Sequence, residues 1–370
     1  MKVGILGAGQ LGRMLALAGT PMNVEFVLLD PIEDACGQSL GQFINAPFED
    51  ESALNEFVKN VDVVTVEFEH ISTQSLEWLS QRVPVYPAPI AVTTAQDRLL
   101  EKQMFARLGI PTADYKAIDQ QDEFIDYCTS RTQAMVAKSR HAGYDGKGQV
   151  RINTDTDLKD AWQQLAGVPI IVEDMVNFER EVSIIAVRNK KGQTAFYPLS
   201  ENIHSGGILQ CTKVKLNDPT QSQAEDYTKR VMDELDYVGV LTVEYFHCNG
   251  QLIANEIAPR VHNSGHWSIE GADSSQFENH IRAICGMPLG STETRGPSAM
   301  INIVSEMPPR DDVLTVEGAH WHDYGKEPRA GRKLGHITLR ANNQQQFDER
   351  LTKLESLLAK TSAPIGSCKS

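Results

Sequence analysis

Short apolar runs alternate with amphipathic segments over the first 96 residues of the chain. The apolar runs have the length of strands and lie at residues 3–6, 25–29 and 61–67. Two segments have the apolar spacing of helices, residues 10–18 and 51–59. Because strands that alternate with helices are typical of parallel sheets, the pattern predicts a parallel α/β domain here.

After this domain the apolar runs become longer and are separated by hairpin signals, as in antiparallel sheets. The runs lie at residues 170–172, 181–188, 193–197, 241–247 and 251–257. Helical spacing is found at residues 221–235 and 276–284. A third segment, residues 297–370, begins with strands and ends in a helix at 345–358. We therefore predict two further α+β regions.

Composition limits the classes of function. The chain has 370 residues, of which 41% are hydrophobic, and a net charge of −14. This charge argues against general binding of nucleic acid or anionic membranes, so an anionic substrate requires a local cluster of Lys and Arg. The six cysteines are scattered without zinc-ligand spacing, which favours unpaired thiols in a reducing cytosol. We find no signal-peptide pattern and no apolar run of membrane length, and we expect a soluble, cytoplasmic protein.

A glycine-rich loop, residues 7–12, follows the first predicted strand and opens the first predicted helix. Its sequence is G-A-G-Q-L-G, and Asp30 ends the next strand 18 residues later. This spacing matches a dinucleotide-binding loop, with glycines for the close approach of a pyrophosphate and an acid for the ribose. An NAD-dependent oxidoreductase is therefore one hypothesis. Such loops also occur in folds that bind no nicotinamide.

A second glycine-rich loop, residues 142–149, follows the strand that contains Lys138. Its glycines leave backbone amides free to surround a triphosphate, while Lys138 and Lys147 add positive charge. A surface hairpin without a ligand is the alternative. Residues 170–176 run from an apolar strand into a connector that can offer backbone groups to an adenine, with Glu181 nearby for the ribose. An ordinary buried strand is the alternative there.

The densest group of polar side chains lies between residues 244 and 266. Carboxylates, an arginine, histidines and asparagines occur together in these 23 residues: Glu244, Asn255, Glu256, Arg260, His262, Asn263 and His266. A protein core rarely holds so many polar groups, since each must be paired when it is buried. Magnesium-dependent phosphate chemistry needs this mixture of hard oxygen ligands and anion-binding groups.

Glu244 and Glu256 lie on the two arms of a predicted hairpin, and the turn decides whether they can cooperate. A two-residue Asn249-Gly250 turn would place the two carboxylates on opposite faces of the sheet. A three-residue loop that also includes Cys248 places them diagonally on one face. Because a shared metal ion requires one face, we predict the three-residue loop and a metal site at Glu244 and Glu256. Two solvated strand acids are the alternative.

Several motifs taken together resemble those of ATP-grasp ligases, and among these the 5-(carboxyamino)imidazole ribonucleotide synthase family of purine biosynthesis. The matching segments are residues 7–14, 97–102, 143–149, 173–176, 255–267 and 331–336. The resemblance covers nearly the whole chain. It implies an α/β and α+β ATP-grasp fold divided into a Rossmann-like pre-ATP-grasp domain at 1–96, an ATP-grasp domain at 97–295 with a flap subdomain at about 110–180, and a small C-terminal domain at 296–370 that completes the substrate site.

The resemblance also implies the site residues. The ATP site would comprise Arg98, Lys138, Gly143, Tyr144, Asp145, Gly146, Lys147, Gly148, Gln149, Glu173, Asp174, Met175, Val176, Glu181, His204, Asn255 and Glu256, with Lys102 as a further candidate. The catalytic residues, most of them at the bicarbonate, would be Lys138, Arg260, His262, Asn263 and Lys333. The residues that bind aminoimidazole ribonucleotide would be Glu67, Tyr144, Asp145, Lys147, Lys333 and Arg340, the last two at its phosphate. Glu244 and Glu256 would hold Mg²⁺, with Mn²⁺ as a substitute.

The implied activity is ATP-driven carboxylation of aminoimidazole ribonucleotide with bicarbonate, by a homodimer. Ala142 and Lys147 depart from the family pattern, in which glycine and arginine are usual, and lysine lacks the bidentate fork of arginine. A sibling ATP-grasp enzyme, such as a formate-dependent transformylase or biotin carboxylase, would share the ATP site but not the substrate side. A catalytically silent nucleotide-binding module would be expected to have lost a metal ligand or the anion-binding cluster.

Overall fold

A computed structural model describes residues 1–141, 148–153, 156–165, 168–359 and Cys368. The first 96 residues form a parallel sheet of order β3-β2-β1-β4 with helices beside it. This confirms the parallel α/β prediction. The elements are β1 Lys2–Leu6, α1 Gln10–Gly19, β2 Glu25–Asp30, β3 Gln42–Asn45, α2 Glu51–Lys59, β4 Val63–Val66, α3 Thr73–Ser80 and α4 Pro89–Gln96, with short 3₁₀ turns at Thr20–Met22 and Gln38–Leu40.

Helix α5, Arg98–Arg107, leads into a small antiparallel sheet of order β5-β8-β6-β7. Asp97 caps α5 by accepting a hydrogen bond from the Leu99 backbone N–H. Apolar residues such as Phe124 and Trp162 fill the space between the sheet and its two helices. The elements are β5 Tyr115–Ile118, α6 Gln121–Thr129, β6 Met135–Ser139, β7 Gln149–Ile152, α7 Leu158–Gln164 and β8 Ile170–Asp174.

A large antiparallel sheet follows, of order β14-β13-β9-β11-β12-β15-β17-β16, with β10 paired to β9. Its first part comprises β9 Arg180–Arg188, β10 Thr194–Phe196, β11 Ser200–Ser205, β12 Ile208–Val214, α8 Gln221–Glu234, β13 Gly239–Cys248, β14 Gln251–Ala258, a 3₁₀ turn at Asn263–Gly265, α9 Ser268–Gly271 and α10 Gln276–Ile284. The C-terminal part comprises β15 Ser298–Val304, α11 Arg310–Leu314, β16 Ala319–Asp323, β17 Lys333–Arg340 and α12 Gln344–Leu358. Because β15 pairs with β12, the C-terminal strands extend the same sheet.

The N-terminal sheet is fixed to the large sheet through α1 and α10. Met14 and Leu15 of α1 share one apolar core with Phe277 and Ile281 of α10. His280 adds a polar link, since its Nδ1 accepts from the Val240 N–H and its Nε2 lies 2.8 Å from the Thr65 hydroxyl. This docking brings the segment after β4 next to the segment after β14, where Glu69 pairs with Arg260. No helix in the described ranges is long and apolar enough to cross a membrane.

The cysteines differ in part from the sequence expectation. A disulfide joins Cys211 of β12 to Cys368, across 157 positions of sequence. Both residues are buried in the apolar core beneath α12, with Leu354 and Leu358. The expectation that all six cysteines are unpaired is therefore wrong for this pair. Four others are free thiols: Cys36, Cys128, Cys248 and Cys285.

Candidate active site

One large cavity, of about 1500 Å³, lies where the N-terminal sheet, the small sheet and the large sheet meet. Most of the residues expected to form the site line it. They are Glu67, Arg98, Lys138, Gln149, Glu173, Asp174, Met175, Val176, Glu181, His204, Glu244, Asn255, Glu256, Arg260, His262, Asn263 and Lys333. The fold therefore gathers side chains that are up to 266 positions apart in the sequence, from Glu67 to Lys333.

The remaining expected residues fall into three groups. Residues 143–147 lie outside the described residues, so the expectations for Gly143, Tyr144, Asp145, Gly146 and Lys147 are not addressed by the structure. Gly148 is described and has a left-handed backbone with φ 68°. The other two, Lys102 and Arg340, are placed differently from expectation.

Lys333 lines the cavity, whereas Arg340 is not among the residues that line it. The two residues begin and end the eight-residue strand β17. At about 3.3 Å per residue their Cα atoms are roughly 23 Å apart, farther than two side chains can converge on one phosphate. The backbone of Arg340 instead contacts Gly318 and Arg350. The expectation that both residues bind one phosphate stays a prediction, which this spacing does not favour.

The β13–β14 hairpin brings Glu244 and Glu256 directly opposite each other, by a route that differs from the predicted one. Its turn has two residues, since Cys248 pairs with Gln251 and both Asn249 (φ 50°) and Gly250 (φ 76°) are left-handed. The predicted three-residue loop is wrong. A bulge at Asn255 shifts the register within the strand instead, so that Glu244 faces Glu256. The one-face arrangement that a shared cation requires is present.

Helix α5 fixes this bulge through three side chains. Lys102 Nζ donates to the Asn255 carbonyl at 3.2 Å, and the Glu101 carboxylate accepts from the Ile257 N–H at 2.6 Å. Arg98 lies 3.2 Å from the Glu256 carboxylate. Lys102 is only 1% exposed, so it supports the backbone from within the core instead of facing the cavity. Burial raises the pKa of Glu101 to about 8.

The facing carboxylates have the electrostatics of a cation site. Burial, together with the neighbouring Glu256, raises the pKa of Glu244 to about 7. A divalent cation would relieve this repulsion, and Mg²⁺ is commonly held by one or two carboxylates plus substrate phosphates. Among the described residues no group of three or more His, Cys, Asp or Glu side chains forms a complete metal cage. The pair therefore fits a cation that arrives with a phosphate ligand.

A buried ion-pair cluster lies below the expected phosphate region. Glu173 on β8 lies 3.1 Å from Lys138 Nζ and 3.3 Å from Lys102 Nζ. Burial acts to raise the pKa of Glu173, but the two lysines lower it to about 2. The carboxylate thus neutralises both lysines. Of these two lysines, Lys138, whose side chain is 13% exposed, lines the cavity and Lys102 does not.

Two aromatic rings line the part of the cavity next to residues 173–176, where β8 ends. Phe178 and Phe246 are stacked with ring centroids 4.8 Å apart, and Phe178 is 41% exposed. Beside them, His204 Nδ1 lies 2.8 Å from the Glu181 carboxylate. Sequence analysis did not identify either phenylalanine. An apolar face next to a hydrogen-bonding wall suits a flat heteroaromatic ring with an attached sugar.

The first glycine loop is filled by the protein's own carboxylates. Glu67 accepts hydrogen bonds from the N–H groups of Gly9 at 2.5 Å and Leu11 at 3.1 Å. Asp30 accepts from the Ala8 N–H at 2.7 Å. A pyrophosphate would need these amides, and Asp30, 5% exposed, is not available to a ribose. The dinucleotide hypothesis is therefore contradicted by the loop itself.

The anion-binding group around Arg260 includes partners that sequence analysis missed. The Glu69 carboxylate receives hydrogen bonds from Arg260 Nε and, at 3.0 Å, from Nη2. The side-chain amide of Asn263 pairs reciprocally with that of Asn302 on β15, at 2.6 and 3.1 Å. Glu69 stands two positions after Glu67 in T-V-E-F-E-H, and that alternation was the only signal for it in the sequence.

His262 lies between the anion-binding group and the carboxylate pair. Its Nδ1 accepts from the Ser264 N–H, and its Nε2 lies 3.5 Å from Glu244. Burial, followed by the charges of Arg260 and Lys333, lowers the pKa of His262 well below its usual range. The imidazole is therefore neutral near pH 7 and acts as a hydrogen-bonding group instead of a cation.

Comparison with known proteins gives one consistent result. Residues 1–96 match the ribonucleotide synthetase preATP-grasp domain, residues 103–277 the ATP-grasp domain, and residues 298–350 the phosphoribosylaminoimidazole carboxylase C-terminal domain. The chain is 48% identical to N5-carboxyaminoimidazole ribonucleotide synthase of Pseudomonas aeruginosa, over 97% of this chain and 99% of the relative. The corresponding relative in Vibrio cholerae is 41% identical, over 98% and 97%.

Solved structures of related proteins have the same fold. The N5-carboxyaminoimidazole ribonucleotide synthetase of Thermus thermophilus superposes with a TM-score of 0.92 at 45% identity, covering 98% of this chain and 99% of that chain. A structure of N5-carboxyaminoimidazole synthase from Aspergillus clavatus, in complex with ADP and 5-aminoimidazole ribonucleotide, superposes with a TM-score of 0.89 at 29% identity. It covers 97% of this chain and 99% of that chain.

Proposed function

The chain belongs to the N5-carboxyaminoimidazole ribonucleotide synthase family of ATP-grasp ligases, and we propose that its cavity of about 1500 Å³ binds all three reactants of that family's reaction. The enzyme carboxylates 5-aminoimidazole ribonucleotide with bicarbonate in de novo purine (IMP) biosynthesis, at the expense of ATP. The products are 5-carboxyaminoimidazole ribonucleotide, ADP and phosphate. The observation that carries the proposal is that one cavity joins the Glu244–Glu256 pair, Arg260 and the Glu67 loop.

We assign the ATP site to the side of the cavity between the two antiparallel sheets. The adenine would lie against Phe178 and Phe246 near residues 173–176, with the ribose at Glu181. Lys138 and Arg98 would contact the phosphates from the cavity wall. Positive charge placed where the γ-phosphoryl group develops negative charge is the main source of catalysis in phosphoryl transfer.

Glu244 and Glu256 would hold Mg²⁺, with Mn²⁺ as a substitute. When bound, the cation would neutralise phosphate charge and hold the phosphates in line for attack. Arg98, 3.2 Å from Glu256, keeps that carboxylate in position from the α5 side. This assignment rests on the facing carboxylates and on the ordinary coordination chemistry of magnesium.

The carboxylation proceeds in two bond-forming steps. A bicarbonate oxygen attacks the γ-phosphorus, the bond to the ADP oxygen breaks, and carboxyphosphate forms. Carboxyphosphate breaks down to carbon dioxide and phosphate, and the exocyclic amine attacks the carbon and loses a proton. We assign Arg260, neutral His262, Asn263 and Lys333 to the bicarbonate and carboxyphosphate, because they line the cavity beside the carboxylate pair. Exclusion of water preserves the short-lived intermediate.

The direct test of this function is ADP release with ATP, magnesium and bicarbonate, in the presence and absence of 5-aminoimidazole ribonucleotide. We expect the ribonucleotide to increase the rate at least roughly tenfold, since carboxyphosphate is used productively only when the amine is in place. Unchanged ADP release, with ATP still bound, would assign the substrate side to another ATP-grasp activity. Detection of NADH-dependent redox activity would return the first glycine loop to the dinucleotide hypothesis.

We place the imidazole of the substrate at Glu67, and this gives a prediction for pH dependence. Burial raises the pKa of Glu67 to about 7, so its ionised fraction rises from roughly one tenth at pH 6 to nine tenths at pH 8. An ionised carboxylate accepts a hydrogen bond from the amine more strongly. The KM for the ribonucleotide should therefore fall severalfold between pH 6 and pH 8. The same fall in Glu67→Gln would attribute it to titration of the substrate.

Several further assignments are proposals of the same kind. We propose the domain boundaries 1–96, 97–295 and 296–370, with which the three matched family ranges agree. The homodimer and the cytoplasmic location are proposed from the family resemblance alone. We propose that Glu173 and Lys102 support the residues around the ATP phosphates and do not contact ATP themselves, since each is at most 3% exposed. Arg340 is left out of the substrate site.

A further inference from the structure

Glu67 and Glu69 belong to one short segment but face two different parts of the cavity. Glu67 lies under the first glycine loop, where the imidazole is proposed to bind. Glu69 holds Arg260, the proposed bicarbonate residue, through Nε and Nη2. Phe68, between them, packs against Phe48 in the core of the N-terminal domain. The two subsites are therefore separated by a single anchored residue.

The segment is also fixed along its backbone. Gln96 Nε2 donates to the carbonyl of Glu69 at 2.6 Å and to that of Ile71 at 2.7 Å. Gln96 directly precedes Asp97, which caps α5, the helix that supports the bulge at Asn255. Residues 67–69 are therefore joined by hydrogen bonds to Arg260 on one side and to Gln96 on the other.

The contacts of Arg260 leave a defined part of its guanidinium for a ligand. Of its five N–H groups, one on Nε and one on Nη2 go to Glu69, and one on Nη1 goes to the Val261 carbonyl at 3.1 Å. Within the described residues, this leaves two N–H groups, one on each terminal nitrogen, and Arg260 lines the cavity. Paired N–H groups on neighbouring nitrogens match the two oxygens of a carboxylate-like anion.

We propose that Glu69 is a positioning residue that orients Arg260 for bicarbonate and makes ATP turnover dependent on the ribonucleotide at Glu67. This inference rests on the proposed function and deepens it. Binding of the amine at Glu67 tightens the 67–69 segment, and Glu69 passes this constraint to the guanidinium. Bicarbonate is then held for attack mainly when its acceptor is present, which limits wasteful hydrolysis of ATP.

A purely electrostatic role and a positioning role for Glu69 predict opposite changes in bicarbonate affinity, so an experiment can distinguish them. Glu69 is an anion close to an anion-binding residue, so Glu69→Gln would tighten bicarbonate binding if only the local charge mattered. If positioning dominates, the same variant loosens the guanidinium and weakens bicarbonate binding. Glutamine can accept one N–H from Arg260, but its own amide group opposes the second.

The experiment measures ADP release against bicarbonate concentration for wild type, Glu69→Gln, Glu69→Asp and the control Glu77→Gln, an exposed residue on α3. For Glu69→Gln we expect the KM for bicarbonate to rise roughly tenfold or more, with the KM for ATP within about twofold. Stimulation by the ribonucleotide should fall severalfold. Glu69→Asp, which keeps the charge, should recover part of both effects, and Glu77→Gln should match wild type.

Three results would overturn the proposal. The first is a lower KM for bicarbonate in Glu69→Gln, the second an unchanged KM with full stimulation, and the third a uniform loss of rate that Glu69→Asp does not reverse. If Glu69→Gln does not fold, Glu69→Asp alone must show the raised KM. Lack of stimulation in the wild type would count against the proposed function, while the bicarbonate KM of basal ATP hydrolysis still tests Glu69.

Discussion

Glu256→Gln should abolish ribonucleotide-stimulated ADP release, with a fall of roughly 10³-fold or more. The substitution removes one of the two facing carboxylates that would hold the cation, and with it the negative charge that lies 3.2 Å from Arg98. The loss should appear mainly in kcat, because the cation stabilises charge that develops during phosphoryl transfer. The measurement is steady-state ADP release at saturating ATP and bicarbonate.

A matched control separates this effect from a general loss of structure. Glu293→Gln makes the same chemical change on an exposed loop and should retain the wild-type rate. Thermal unfolding of Glu256→Gln should stay within a few degrees of wild type, since Glu256 is 43% exposed at its side chain. Retention of more than about a tenth of the wild-type rate would remove Glu256 from the cation site.

The sequence predicted which side chains lie close together, but it did not always predict the backbone geometry that brings them there. It placed Glu244 and Glu256 on one hairpin and required them on one face, because a shared cation demands it. The structure meets that requirement with a bulge at Asn255, whose carbonyl and neighbouring amide are satisfied by Lys102 and Glu101. A bulge depends on partners from a distant helix, so the local turn sequence could not reveal it.

Other differences have the same long-range origin. The sequence of the first glycine loop matches a dinucleotide site, but Glu67, which directly follows β4, accepts hydrogen bonds from its amides from 56 positions away in the chain. Arg340 shares a strand with Lys333, and only the extended geometry of β17 separates them. Periodicity gave the long elements within one or two residues, as for α2, α8 and α10. Strands β11 and β12 were missed because polar, cavity-facing residues such as Asn202 and His204 interrupt their apolar pattern.

The buried ion-pair cluster gives the second large effect. Glu173→Gln would leave Lys102 and Lys138 without their shared carboxylate, although their side chains are only 2% and 13% exposed. Breaking a buried ion pair by removing one partner costs about 3–5 kcal/mol, because an uncompensated charge stays in the protein. We expect a loss of that size in the free energy of unfolding, measured with urea at pH 7.

The surface pair Lys116–Glu123 provides the control. Both side chains are more than two fifths exposed, so Glu123→Gln should change the free energy of unfolding by less than about 1 kcal/mol.

The pH dependence of stability gives a second test of Glu173. Its folded-state pKa, about 2, lies below the value near 4.5 of an unpaired glutamate, so its contribution is present above pH 4.5 and is lost as the pH falls towards 2. Wild type and Glu173→Gln should therefore converge in stability over that interval. Because Lys102 also supports the bulge at Asn255, the same variant should lose ligase activity even where it remains folded. A fully active Glu173→Gln protein with an unchanged free energy of unfolding would show that the cluster neither stabilises the fold nor supports the cation site.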